Sequence, residues 1–319
     1  MILRLLVRYL PLKGSQVLTP PEAKLQDEPI NYPDFKDIKG QKIAKRALEI
    51  AASGGHNLLM FGPPGTGKSR LAACLPSILP KMSTKEILEC STITSIAGKF
   101  LDGKLTKARP FRTPHHSCSL AAMVGGGVGK KVKPGEITLV HNGVLFLDEL
   151  PEFPQHVIDA LRQPIENGEI LISRSNAHIK YPANFQLIAA MNPCKCGYLG
   201  DSYKECMKAP KCASDYQMKV SGPIMDRFDL HIEVSSINVY NYDLIVDNSE
   251  EESEYIAARV EKVRLIQEKR YEGYNIKTNN KLDGQLLIDY AMPADEGRDL
   301  LNEAANFVYQ CVLITEYLE

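Results

Sequence analysis

The run Gly62-Pro63-Pro64-Gly65-Thr66-Gly67-Lys68-Ser69 constrains this chain more than any other segment. It fits the pattern G-x4-G-K-[ST]. It lies between a short apolar run, Asn57 to Phe61 (NLLMF), and a stretch of helical character from Arg70 to Leu75. Strand, glycine turn and helix start, in that order, aim backbone N–H groups at an anion on the helix N-terminus. In this reading the N–H groups of Gly65 to Ser69 cradle phosphate oxygens. Lys68 reaches the β and γ phosphates, and Ser69 ligates Mg²⁺. The ligand is then ATP or a close relative. The plainer alternative is an ordinary glycine turn.

Two further strand ends extend that reading. Val144 to Leu147 (VLFL) is a buried strand that ends in Asp148-Glu149, about eighty residues after the loop. Asp148 is placed to hold Mg²⁺, directly or through water, and Glu149 to polarise an attacking water. A third apolar strand starts at Leu187 and ends at Asn192. An amide at that strand tip could position the water or sense the γ-phosphate, or it could simply start an Asn-Pro turn. Arg227 precedes the strand-like DLHIEV. It could reach a neighbouring subunit's ATP and neutralise transition-state charge, or it could pair with Asp226 or Asp229.

Strands alternating with helices define an α/β chain with a mostly parallel, doubly wound sheet. Gln41 to Ala52 shows helical spacing through Ile43, Ala47 and Ile50, closed by Gly54-Gly55. Val157 to Ile165 also reads as a helix. Glu169 to Ile172 and Ile179 to Phe185 flank a turn as a hairpin. Gly125-Gly126-Gly127 is too flexible for regular structure and suggests a mobile loop. Ile256, Val260, Val263 and Ile266 form a helical stripe. Acids crowd its start, and Lys269 and Arg270 its end, which complements the helix dipole. Five prolines between residues 11 and 34 mark a linker or extended arm.

Composition excludes whole classes. With 319 residues, 44% hydrophobic and 24% charged, the chain is neither disordered nor a disulfide scaffold. No apolar run is long enough for a spanning helix. The apolar start, Met1 to Leu10, is broken by Arg4 and Arg8. It therefore reads as a buried edge element rather than a secretion signal. Eight cysteines without such a signal point to a reducing, cytoplasmic setting. Four of them, Cys194, Cys196, Cys206 and Cys212, crowd a turn-rich stretch. They could form a tetrahedral structural zinc site or remain free thiols.

The net charge of −1 hides a basic segment. From Gly98 to Gly135, Lys99, Lys104, Lys107, Arg109, Arg112, Lys130, Lys131 and Lys133 face Asp102 alone, a window of +7. Within it, His115 and His116 of PFRTPHH point apart on most backbones, so they do not share a metal and read as part of the basic loop.

These motifs occur in a recognisable order. FKDIKGQKIAKRALEIAASGGHNLLMFGPPGTGKS, PFRTPHHS, GGG, PGEITLVHNGVLFLDELPEF, LRQPIENGEILISR, AAMNPCKCGYLGD and SGPIMDRFDLHIEV resemble the magnesium-chelatase-like AAA+ ATPases, in the ComM (YifB) branch. The likeness covers about residues 34 to 235, with a looser helical match to about 305. It implies an AAA+ phosphate-loop core over 34–235, a parallel sheet sandwiched by helices, and a helical lid over 236–319. Residues 1–33 are then a linker or the remnant of an N-terminal domain of the Lon-protease-like type. Gly62 to Ser69 become Walker A, Asp148 and Glu149 Walker B, Asn192 sensor 1, and Arg227 the trans arginine. The resemblance further implies a hexameric ring of identical subunits, ATP and Mg²⁺ as cofactors, and DNA as the partner of a branch-migration helicase, with no membrane. Pore loops would lie in 98–135 and in the hairpin 170–181, where Arg174, His178 and Lys180 meet no acid. The C-terminal NFVYQCVLITEYLE does not resemble the sensor-2 helix of that branch, which implies an incomplete lid. Two rivals follow: a chelatase-type motor subunit, or a non-hydrolysing nucleotide-binding remnant.

Overall fold

The computed structural model describes residues 32–99, 105–126, 132–174, 177–199, 206–235, 250–274 and 276–303. The apolar start, most of the proline-rich arm and NFVYQCVLITEYLE lie outside those residues, as do Asp102, Lys104, Lys130 and Lys131 of the basic window.

Nine strands are described: β1 (Leu58–Phe61), β2 (Phe111–Arg112), β3 (Gly125–Gly126), β4 (Lys133–Pro134), β5 (Val144–Leu147), β6 (Glu169–Arg174), β7 (Ala177–Pro182), β8 (Gln186–Met191) and β9 (Leu230–Glu233). The helices are α1 (Lys42–Gly54), α2 (Lys68–Ile78), α3 (Thr84–Ile96), α4 (Leu120–Val124), α5 (Glu136–Leu139), α6 (Gln155–Asp159), α7 (Arg162–Asn167), α8 (Lys211–Gln217), α9 (Gly222–Met225), α10 (Ser253–Arg270) and α11 (Gly284–Ala291).

Five strands form one sheet in the order β2-β5-β8-β1-β9, every neighbouring pair parallel. Leu58 registers with Ile188 on one side and Leu230 on the other, and Val144 with Gln186. A parallel sheet covered on both faces needs apolar side chains on both sides of each strand. The three central strands comply. Leu58, Met60, Val144, Phe146, Ile188 and Ala190 enter a core shared with α1, α2 and α10. Leu59, Leu145, Leu147, Leu187, Ala189 and Met191 enter a second core on the opposite face.

Four expectations need correction. In α1 the buried stripe is Ala44, Ala47, Leu48, Ala51 and Ala52, while Ile43 is 76% exposed and Ile50 also faces out. This face, four alanines beside Leu48, is the one that α1 packs against α2 and α10. In α10, Ile256 and Val260 are buried, but Val263 and Ile266 are exposed. There the contact passes to polar groups: Arg264 donates to the Ala52 carbonyl and Gln267 to the Ser53 carbonyl. The expected helix over 157–165 is two short helices, α6 and α7.

The glycine run is the fourth. Gly125 and Gly126 form β3, paired antiparallel with β4. Gly125 holds φ +113°, and a Cβ there would stand 2.7 Å from Ile172 Cδ1 and 2.8 Å from the Lys133 carbonyl oxygen. Its glycine serves close backbone approach rather than mobility. The hairpin forms as β6 and β7, whose pairing runs from Glu169 with Pro182 to Arg174 with Ala177, two residues further toward the turn on each strand than expected. No helix among the described residues is long and apolar enough to cross a membrane.

Candidate nucleotide site at the strand C-terminal edge

Parallel strands end at one edge, so whatever follows β1, β5 and β8 converges there. Gly62 follows β1, Asp148 follows β5 and Asn192 follows β8. Side-chain contacts join all three. Lys68 Nζ donates to the Gly62 carbonyl at 2.6 Å, the Pro63 carbonyl at 2.8 Å and Asn192 Oδ1 at 3.3 Å. Ser69 Oγ donates to Asp148 Oδ2 at 2.5 Å. The Asp148 carboxylate also accepts the Glu149 N–H at 3.0 Å.

The loop fits a phosphate. Gly65 and Gly67 sit at φ +83° and +87°, which L side chains rarely adopt, and a Cβ at either would meet nothing within 4 Å among the described residues. The cradle is open toward solvent while Thr66 and Lys68 are buried beneath it. Thr66 Oγ1 donates to the Pro63 carbonyl and so braces the turn. Burial pushes the Lys68 ammonium down, and the Asp148 carboxylate opposes that. The Ser69 hydroxyl beside the Asp148 carboxylate is a hard oxygen pair of the kind Mg²⁺ takes, with water and phosphate completing the shell.

Glu149 extends outward from this edge. It has φ +54°, an uncommon conformation for a residue with a side chain. Its Oε2 stands 3.3 Å from His116 Nδ1. From the sequence alone, His116 reads only as part of a basic loop. The signal that could have found it is strand order: β2 is the parallel neighbour of β5, so residues just past β2 stand beside those just past β5.

Arg227 lies elsewhere. It precedes β9, at the N-terminal edge of the sheet, where its carbonyl accepts from Asn57 Nδ2. Its guanidinium pairs with Glu166, not with Asp226 or Asp229. Asp229 instead accepts the Asn57 N–H at 2.8 Å. The length of β1, about 10 Å at 3.3 Å per residue, separates this edge from the phosphate loop.

The basic window is partly neutralised. Arg112 makes a bidentate pair with Glu136 at 2.6 and 2.9 Å. Arg109 donates to the Pro80 and Asn142 carbonyls and to Glu86. Lys180 of the hairpin meets Glu169 at 2.5 Å, so that strand pair does contain an opposing acid. Lys99, Lys107, Lys133 and His178 remain exposed. Cys194, Cys196, Cys206 and Cys212 come together, with their sulfurs all within 4.8 Å of one another.

Sheet order, open glycine loop and acidic strand end define an AAA+-type phosphate-loop protein. Residues 34–242 match the family model of magnesium chelatase subunit ChlI, and the chain belongs to that family. It is 51% identical over 223 residues to the protein YifB of Salmonella typhimurium, covering 70% of this chain and 43% of that protein. It is 46% identical over 275 residues to competence protein ComM of Haemophilus influenzae, covering 85% and 53%. The magnesium-chelatase 38 kDa subunit of Rhodobacter capsulatus is 29% identical over 174 residues, half of each chain. The chain thus spans about half the length of the curated relatives it matches. The family implies ATP and Mg²⁺ as ligands of the site.

Proposed function

We propose that the chain is the ATPase module of a ring-forming, Mg²⁺-dependent motor that acts on DNA, as a branch-migration helicase serving DNA uptake and recombination. The observation that carries the ATPase half is the Lys68–Asn192 and Ser69–Asp148 contact pair, which ties three strand ends to one loop. Mg²⁺, when bound, supplies charge neutralisation on the phosphates. The loop N–H groups and Lys68 bind and orient the triphosphate. Glu149 orients and deprotonates the attacking water, and Asn192 holds the γ-phosphate side of the site.

Arg227 serves the adjacent subunit. It lies at the wrong sheet edge to reach its own loop, and its pairing with Glu166 keeps the guanidinium in position until a neighbour's phosphate competes for it. Exposed Lys99, Lys107, Lys133 and His178 support the DNA half, since phosphate neutralisation is how such motors grip a strand. The competence protein among the relatives favours the same partner. Seven described cysteines are free, in keeping with a cytoplasmic setting.

The test is ATP turnover with and without single-stranded DNA, beside Glu149→Gln and Lys68→Ala. Glu149→Gln should lower turnover by about a hundredfold or more with nucleotide binding retained. Lys68→Ala should lose binding. Turnover indifferent to DNA, but raised by a chelatase partner subunit, would move the reading to the chelatase-type motor. Tight binding without turnover would leave a nucleotide-binding module.

A further inference from the structure

The thiol cluster lies directly beyond Asn192, on a lobe with its own small core of Cys194, Cys206 and Ala213, packed by Leu199 and Cys212. Four sulfurs mutually within 4.8 Å is a close grouping for residues spread over nineteen positions. A regular tetrahedron with zinc–sulfur bonds of about 2.3 Å has edges of about 3.8 Å. The Cys194–Cys196 separation is 3.1 Å, well beyond a disulfide bond. The set therefore brackets a single central ion and is too tight for an iron–sulfur core placed among the same thiols. Two of the thiols, Cys194 and Cys206, are buried, and Cys196 and Cys212 close the outer side. Four thiolates around Zn²⁺ leave a net −2. Lys195, Lys208 and Lys211, all exposed and next to the ligands in sequence or nearly so, offset it.

The same lobe touches the phosphate loop. Gly197 follows the Cys194–Cys196 pair at φ +83°, and its N–H donates to the Cys194 carbonyl at 2.9 Å. A Cβ at Gly197 would stand 2.7 Å from Pro64 Cδ, so the turn lies flush on the loop. From the other side, Gln217 of α8 donates to the Pro193 carbonyl at 3.1 Å. The backbone from Asn192 to Gly197 is thus clamped between the cysteine lobe and the loop.

We propose that Cys194, Cys196, Cys206 and Cys212 hold one structural Zn²⁺, and that the ion fixes the Asn192–Gly197 turn against Pro64, so that metal occupancy sets nucleotide affinity. The second half rests on the ATP reading above; the first does not. Zinc suits the task because it is redox-inert and tetrahedral, and its binding energy is available to order a short lobe.

The test begins with elemental analysis of the full chain, purified under reducing conditions from zinc-replete medium. One zinc per chain is expected, and cobalt exchanged into the wild type should show the charge-transfer and d–d bands of tetrahedral thiolate coordination. Iron in its place, a Cys194–Cys196 disulfide, or metal-free chain with all four thiols alkylated in the native state would overturn the site. Folded Cys206→Ser should lose the zinc and bind a fluorescent ATP analogue about tenfold more weakly. Unchanged affinity in that metal-free variant, or in wild type stripped by a chelator should the variant not fold, would overturn the coupling. A zinc-loaded wild type that ignores the analogue would instead overturn the nucleotide reading and leave the metal site standing.

Discussion

His116 Nδ1 stands 3.3 Å from Glu149 Oε2, so the carboxylate proposed to activate water is engaged by an imidazole from the neighbouring strand's loop. His116 also packs edge-on against Phe153 and, against the expectation that the adjacent histidines point apart, its ring lies 4.1 Å from that of His115. These contacts hold the imidazole in place while Glu149 stays half exposed. Exposed pairs of this kind are worth about 0.2–1 kcal/mol, which corresponds to at most about fivefold in an equilibrium. His116→Ala is expected to raise DNA-independent ATP turnover by up to that factor, with nucleotide affinity unchanged. Steady-state kinetics beside equilibrium binding checks it; a fall in turnover would make His116 a contributor rather than a restraint.

Arg227 yields a test that needs two variants in one tube. Arg227→Ala should retain nucleotide binding and lose about a thousandfold in turnover, the scale of an arginine finger. Lys68→Ala should fail for the opposite reason, with its arginine intact. If Arg227 acts on a neighbour, mixing the two restores activity at the interfaces where a good loop meets a good arginine. No recovery across mixing ratios, with both variants shown to assemble together, would confine Arg227 to its contact with Glu166.

The geometry of the candidate nucleotide site was legible in the sequence because its parts are backbone-driven. Gly65 and Gly67 announce left-handed turns, and four-residue apolar runs such as Val144–Leu147 announce buried strands whose next residue lies at the sheet edge. Helix faces were less legible. Ile43 and Ile50 are two of the three large apolar side chains of α1, yet only the third, Leu48, joins the alanines in its buried stripe. Which face is covered depends on how closely α2 and α10 approach, and no local pattern encodes that. Long-range partners were invisible for the same reason. Glu136 for Arg112, Glu166 for Arg227 and His116 for Glu149 are matched by topology rather than by spacing.

Gly125 shows how a sequence signal can be right about the residue and wrong about its use. At φ +113° and ψ 164° the backbone lies where side chains are strained, and the space is filled by Ile172, Lys133 and Gly135. Gly125→Ala should destabilise the fold by about 1–3 kcal/mol, seen as a lower urea midpoint. The β3–β4 and β6–β7 pairs should loosen first in hydrogen exchange. Gly67→Ala, where a Cβ meets open space but φ is also left-handed, should instead act mainly on nucleotide binding. Equal loss of stability in both would show that φ alone, rather than close approach, sets the cost.

Arg259 ties α10 to α1 through Glu49 and to the residues just before α10 through Glu251. Its guanidinium donates to Glu49 at 2.7 and 3.2 Å and to Glu251 at 2.7 Å through two nitrogens. Glu49 is buried, and burial alone would raise its carboxyl; the hydrogen bonds from Arg259 and Arg46 outweigh that and hold it below the ordinary range. The Arg259 bonds lower Glu251 in the same direction. Carboxyls depressed in the folded state contribute stability that is fully present above their unfolded values. That stability is lost as pH falls through the folded ones. The wild type should therefore lose stability on the acid side of about pH 4 while this clamp is neutralised. Arg259→Met strands the Glu49 charge and should cost about 1–3 kcal/mol at neutral pH. Its acid limb should also be flatter, because the shift that creates the slope is gone. Urea unfolding across pH 3 to 7 reads both effects; a parallel offset with an unchanged acid slope would mean that Arg46 alone sets the carboxyl.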